Sequence, residues 1–65
     1  MKNAIQELRK QRRMTQEELA DLCSVTRQTI ISLENGRYNP SILLAHKIAK
    51  IFGLTIEQIF FFEEE

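Results

Sequence analysis

Two helix-start signals, at Thr15 and Thr26, fall within one short stretch, TQEELADLCSVTRQTI (residues 15–30), and nothing between them is long enough to be a linker. Thr15 and Glu18 have the spacing of a capping box, in which hydroxyl and carboxylate each satisfy a free backbone N–H of the first turn. Leu19, Ala20 and Leu22 supply an apolar stripe, and the helix ends near Cys23. Thr26 then caps a helix running to about Asn35, stopped at Gly36, where a left-handed residue costs least. A break confined to residues 23–25 fixes the angle between two short helices. The rest of the chain has to fold around that pair.

The remaining sequence is also helical by periodicity and by its stop signals. A first helix is expected over residues 4–11, with Asn3 as N-cap, Ile5 and Leu8 inward, and Arg12, Arg13 and Met14 leading out. After a loop at Tyr38 to Pro40, Ser41 opens a fourth helix carrying Ile42, Ala45, Ile48, Ala49 and Phe52 at helical spacing, closed by Gly53. Thr55 caps a short fifth one through Ile59. The expected fold class is therefore all-α: a five-helix bundle forming one domain over residues 1–65, with its helix-turn-helix at about 16–35. Residues 54–65 are assigned to dimerisation and a terminal β-ribbon. If residues 60–62 are extended, Phe60 and Phe62 face one side and Phe61 the other, and the strand pairs with Met1 to Asn3.

A domain of 65 residues buries only about 60% of the surface its unfolded chain exposes, so it needs a staple or a partner. Cys23 is the lone cysteine and His46 the lone histidine, too few for a disulfide or a zinc site. No metal and no cofactor are expected, and oligomerisation is the remaining route. No run approaches the roughly 18 apolar residues of a membrane span, and the N-terminus lacks a signal-peptide core, so the chain is expected to be soluble, cytoplasmic and free of membrane contact. An enzyme is not expected: no histidine is paired by pattern with a nucleophile, and no Gly-rich loop follows a strand.

Nine basic and nine acidic residues give a net charge of zero, but the distribution is uneven. All the basic groups lie in residues 1–50, against Glu7, Glu17, Glu18, Asp21 and Glu34, while Glu57 and the run Glu63, Glu64, Glu65 supply the remaining acids. The terminal glutamates are expected to keep the tail from recruiting further subunits.

At roughly 100° per residue, the third helix sorts onto two faces. Ile30 and Leu33 point one way; Gln28, Ile31, Ser32 and Asn35 point the other, with Arg27 on the flank. Amide, guanidinium and hydroxyl groups on one side of a short, anchored helix suit reading of DNA base edges in the major groove. Gln pairs with N6 and N7 of adenine, and Arg with O6 and N7 of guanine.

QEELADLCSVTRQTIISLENG resembles the central motif of the lambda-repressor and Cro-type helix-turn-helix family, the XRE family. LRKQRRMTQ resembles its first helix and exit, and NPSILLAHKIAKIFGLTIEQIF its fourth and fifth helices. The small cytolysin-repressor type shares the RQTI and YNPS segments and the IF ending. Two departures stand out. Ser24 occupies the turn where the family favours glycine, at a cost of about 1 kcal/mol if it is left-handed. Ile31 is an apolar residue on the outward face, either a contact for a thymine methyl or a tolerated surface residue.

The resemblance implies base reading by Gln28 and Ser32, with Ile31 as described and Arg27 either reading a base or clamping a phosphate. It implies backbone contacts at Gln16 and Asn35, with Thr26 at the head of the reading helix and Arg37 and Tyr38 in the loop beyond it. It further implies an ion pair between Arg9 and Glu34 and a two-fold contact around Asn39, Pro40, Leu54 and Ile56. Lys10, Arg12 and Arg13 are expected to be solvated or weakly attracted to DNA. The expected function is a homodimeric repressor on palindromic double-stranded operator DNA. The alternative is an antitoxin-like regulator that uses the same fold to hold a partner protein.

Overall fold

The computed structural model describes residues 1–62, so the run Glu63 to Glu65, with the protective role expected of it, lies outside the described residues. The elements are β1 (Lys2–Asn3), α1 (Ile5–Gln11), α2 (Gln16–Cys23), α3 (Arg27–Glu34), α4 (Ile42–Phe52), α5 (Ile56–Ile59) and β2 (Phe60–Phe61). The five helices form an all-α body, and β1 and β2 make a two-stranded antiparallel ribbon with Lys2 opposite Phe61 and Asn3 opposite Phe60.

Side-chain oxygens start four of the helices. Thr15, Thr26, Ser41 and Thr55 are extended at the N-cap and accept from the amides of Glu18, Thr29, Leu44 and Gln58. The boxes at Thr15/Glu18 and Thr55/Gln58 are closed in both directions. Helix α1 departs from the expected start. Ala4 is its N-cap, and Asn3 Oδ1 accepts the Ile5 amide at 3.1 Å from one residue further back, because the Asn3 backbone belongs to the ribbon.

The longer helices end in one shared way, with paired backbone bonds around a left-handed residue. In α2 that residue is Ser24 (φ 59°): its amide donates to the Asp21 carbonyl at 3.2 Å, and the Val25 amide donates to the Ala20 carbonyl at 3.0 Å. Gly36 ends α3 and Gly53 ends α4 in the same manner, while α1 turns on Arg13 (φ 54°), which nothing in the sequence reading anticipated.

The core gathers Ile5, Leu19, Ile30, Leu33, Ile48, Ile59 and Phe60, with Cys23 and Phe52 beside them. Two expected core residues are outside it. Leu22 is 57% exposed, since it points roughly 100° away from the mean direction of Leu19, Ala20 and Cys23, and Cys23 takes the inward place. Ile42 is 86% exposed because it flanks the buried stripe in the first turn of α4, where Leu44 turns inward instead.

Arg12, expected to be solvated or drawn to DNA, is exposed but also makes contacts within the fold. Its guanidinium donates to the Ile51 carbonyl at 2.7 Å and the Phe52 carbonyl at 3.0 Å, lying 5.1 Å over the Phe52 ring centroid. It caps the negative end of α4 and fastens the exit of α1 to it.

Candidate nucleic-acid interface

Helix α3 is held by its apolar side: Ile30 and Leu33 are fully buried, while Arg27, Gln28 and Asn35 are exposed and Ile31 and Ser32 half-buried. Its eight residues span about 12 Å, close to the width of the major groove. Thr26, exposed at its head, is occupied in capping. Its Oγ1 accepts the Thr29 amide at 3.3 Å and lies 3.0 Å from Thr29 Oγ1. Thr29, half-buried on the same turn, was not singled out from sequence; its spacing from Thr26 on the helix was the available signal.

The electrostatics of α3 depend on its one carboxylate. Glu34 is turned inward, with its side chain 5% exposed, and Arg9 meets it with two bonds, Nε to Oε2 at 2.8 Å and Nη2 to Oε1 at 3.1 Å. The hydrogen bond to Glu34 holds the Arg9 pKa above its ordinary value, against the opposing effect of burial. Arg9 Nη1 also donates to the Met14 carbonyl at 2.8 Å. The carboxylate is thereby neutralised inside the fold, and the outward side of α3 shows only cationic and neutral groups.

Gln16 belongs to the same network: its Nε2 donates to Glu34 Oε1 at 3.1 Å. The start of α2 and the end of α3 thus converge on a single carboxylate. Arg37 and Tyr38 are exposed in the loop that follows α3.

Away from this face, Pro40 and Ile56 line an apolar recess of about 280 Å³ together with Met1, Ile42, Phe60 and Phe62. Asn39 borders an adjoining recess with Phe61 and Phe62, and Leu54 packs half-buried against the core. Cys23 is buried, and burial pushes its thiol pKa up despite the opposing influence of Lys47. Among the described residues no group of His, Cys, Asp and Glu side chains is placed to hold a metal, and no helix is long and apolar enough to cross a membrane.

Comparison with known proteins agrees with this geometry. Residues 5–59 match the family described as Helix-turn-helix. The chain is 54% identical over its full length to an uncharacterized HTH-type transcriptional regulator of Archaeoglobus fulgidus, covering 92% of that protein. It is 40% identical over 63 residues to the competence pilus inhibition repressor of Acinetobacter baylyi, covering 94% of this chain and 56% of that one. Among solved structures, the clp gene regulator ClgR of Corynebacterium glutamicum superposes with a TM-score of 0.75 at 26% identity, over 82% of this chain and 56% of the other. A transcriptional regulator of Listeria innocua superposes with a TM-score of 0.80 at 20% identity, over all of this chain and 65% of the other, a likeness of fold alone.

Proposed function

Because the chain belongs to the XRE-type helix-turn-helix family of transcriptional regulators, we propose that it is a cytoplasmic repressor that reads a palindromic operator with α3, as a homodimer. The observation that carries this reading is the outward side of α3, polar apart from Ile31 and free of negative charge because its one carboxylate is paired internally with Arg9. Gln28 and Ser32 read base edges, Ile31 meets a thymine methyl, and Arg27 reads guanine or clamps a phosphate. Gln16, held by Glu34, contacts the backbone with Thr26, Asn35, Arg37 and Tyr38.

The dimer face is the side carrying Asn39, Pro40, Leu54 and Ile56. Two features support it: the apolar recess that includes Pro40 and Ile56, and the exposed Ile42 and Phe62 on its border. In a two-fold dimer equivalent points lie apart by twice their distance from the axis, so points about 17 Å from the axis on bodies measuring 34 × 22 × 20 Å are about 34 Å apart. That brings two reading helices within reach of the roughly 34 Å spacing of successive major grooves. Occupancy of promoter DNA by such a dimer excludes polymerase.

Selecting bound duplexes from a random pool tests the reading, followed by titration of the best site and of random DNA at two salt concentrations. Affinity for both falls as salt rises, because phosphate contacts release counterions. Gln28→Ala loses roughly 1 to 3 kcal/mol on the selected site and much less on random DNA, whereas Arg37→Ala weakens both. Equal losses on the two DNAs for Gln28→Ala remove it as a base reader.

A further inference from the structure

The side chain of Asn3 ties the start of the chain to a helix 30 residues further along the sequence. Its Oδ1 accepts the Ile5 amide at 3.1 Å, and its Nδ2 donates to the Leu33 carbonyl at 2.8 Å and to the Met1 carbonyl at 3.1 Å. Leu33 lies in the last turn of α3, and its carbonyl also accepts the Gly36 amide at 3.0 Å in the bonds that end the helix. The Asn3 backbone is meanwhile paired with Phe60 in the ribbon. One carboxamide therefore connects the beginning of α1, the ribbon that borders the apolar recess, and the C-terminal end of the helix that reads DNA.

Resting on the reading of α3 as the base-reading helix, we propose that Asn3 is a positioning residue for sequence discrimination. Its Nδ2 bond to Leu33 sets the angle at which α3 leaves the body of the protein. The physical case is one of leverage. At its N-terminal end α3 is joined to α2 by a tight turn, and through Glu34 it is fastened to Arg9 and Gln16. Both anchors act from the α1 and α2 side. The Leu33 bond acts from the ribbon, beside the bond that the Met1 ammonium donates to the Gly36 carbonyl at 2.7 Å just beyond the helix, and the two together limit the freedom of the α3 terminus to pivot about those anchors. Base contacts require their donors and acceptors within hydrogen-bond reach, whereas phosphate contacts from flexible side chains tolerate a small rotation. Loosening this tether therefore weakens binding to the selected site more than binding to random DNA.

Two variants separate the tether from the helix cap. Asn3→Asp keeps an acceptor for the Ile5 amide and loses the donor to Leu33; Asn3→Ala loses both. Each is titrated with the selected duplex and with random DNA, and amide hydrogen exchange is followed in the free protein. Both variants lower the ratio of selected-site to random-DNA affinity up to about tenfold, the equivalent of one hydrogen bond. The ratio cancels the uniform effect of the added negative charge in Asn3→Asp. Amides 35–37 exchange faster in both variants, and the Ile5 amide exchanges faster only in Asn3→Ala. An unchanged affinity ratio overturns the positioning role even if amides 35–37 exchange faster, and unchanged exchange at those amides overturns the tether itself. A wild type that prefers no duplex overturns the parent reading of α3, and the positioning role falls with it.

Discussion

Replacing Arg9 with methionine is the most severe single test of how this small fold holds together. The substitution keeps much of the aliphatic volume and removes three donated bonds, two to Glu34 and one to the Met14 carbonyl. The Glu34 carboxylate, 5% exposed, is then left with the Gln16 amide as its remaining side-chain donor. Stranding a buried charge in this way costs about 3 to 5 kcal/mol. A chain of 65 residues has roughly 3 to 10 kcal/mol of stability in total, so Arg9→Met is expected to be largely unfolded, or close to it, at 25 °C. Glu34→Leu strands the guanidinium instead and loses a comparable amount. The double variant Arg9→Met/Glu34→Leu removes both charges, so its stability returns to within about 1 to 2 kcal/mol of wild type, with a large favourable coupling. Urea denaturation followed by circular dichroism measures all four corners of the cycle. A raised Arg9 pKa means that its contribution is complete at every pH below the ordinary arginine value and is lost only as pH climbs through the raised one, so the cycle reads the same from pH 6 to 8. A double variant as unstable as the sum of the singles would refute the reasoning. The double variant also frees Gln16, so its recovered stability is expected without full recovery of DNA affinity.

Ser24→Gly relieves the left-handed strain in the turn and stabilises the fold by about 1 kcal/mol, read as a rise of several degrees in Tm; a loss of stability would mean that the hydroxyl contributes more than the strain costs. The backbone bond to Thr15, and then its hydroxyl, lower the pKa of Glu18, so the capping box supports the fold above the ordinary carboxylate value and its contribution fades as pH falls through the lowered one. Glu18→Gln should therefore differ most from wild type near neutrality and converge with it as the pH falls through that lowered value; a gap that persists into stronger acid rules out the ionised form as the cause. Arg12→Ala uncovers the last carbonyls of α4 and the Phe52 ring and is expected to lose about 1 to 2 kcal/mol. An unchanged urea midpoint would mean that these contacts of the exposed Arg12 add nothing to stability.

The helices were legible because their boundaries are local chemistry. Thr15, Thr26, Ser41 and Thr55 announce starts within four residues of sequence, and Gly36 and Gly53 announce stops. The faces of α3 followed from its period alone. What escaped the sequence was set by contacts across long separations. Arg12 reads as one more cation in a basic run until the end of α4 is placed beneath it, and Asn3 reads as an ordinary N-cap until Leu33 arrives beside it. Leu22 and Ile42 were misplaced for a narrower reason: apolar spacing gives a stripe, but its edges depend on which neighbouring helix ends where. In the site, the type of each outward residue was readable, but the tie between Gln16 and Glu34 was not, because helical periodicity does not relate side chains on different helices.

The pairing of Lys2 with Phe61 brings the two ends of the described chain side by side, so the path of the backbone is a ring that lacks one covalent link. A ring can be opened anywhere its contacts allow. With the ends bridged by a short linker and the chain cut in the exposed stretch after Gly36, α4 would lead, and the two-helix unit with its tight turn would come last. The contact now separated by nearly the whole sequence would become a local hairpin. The entropy of closing that loop grows only as about (3/2)RT ln n, so such a permuted chain would assemble along a different route, its stability lowered chiefly by loss of the bond from the Met1 ammonium to the Gly36 carbonyl. The order of the genetic text and the order of assembly are, for this architecture, separable.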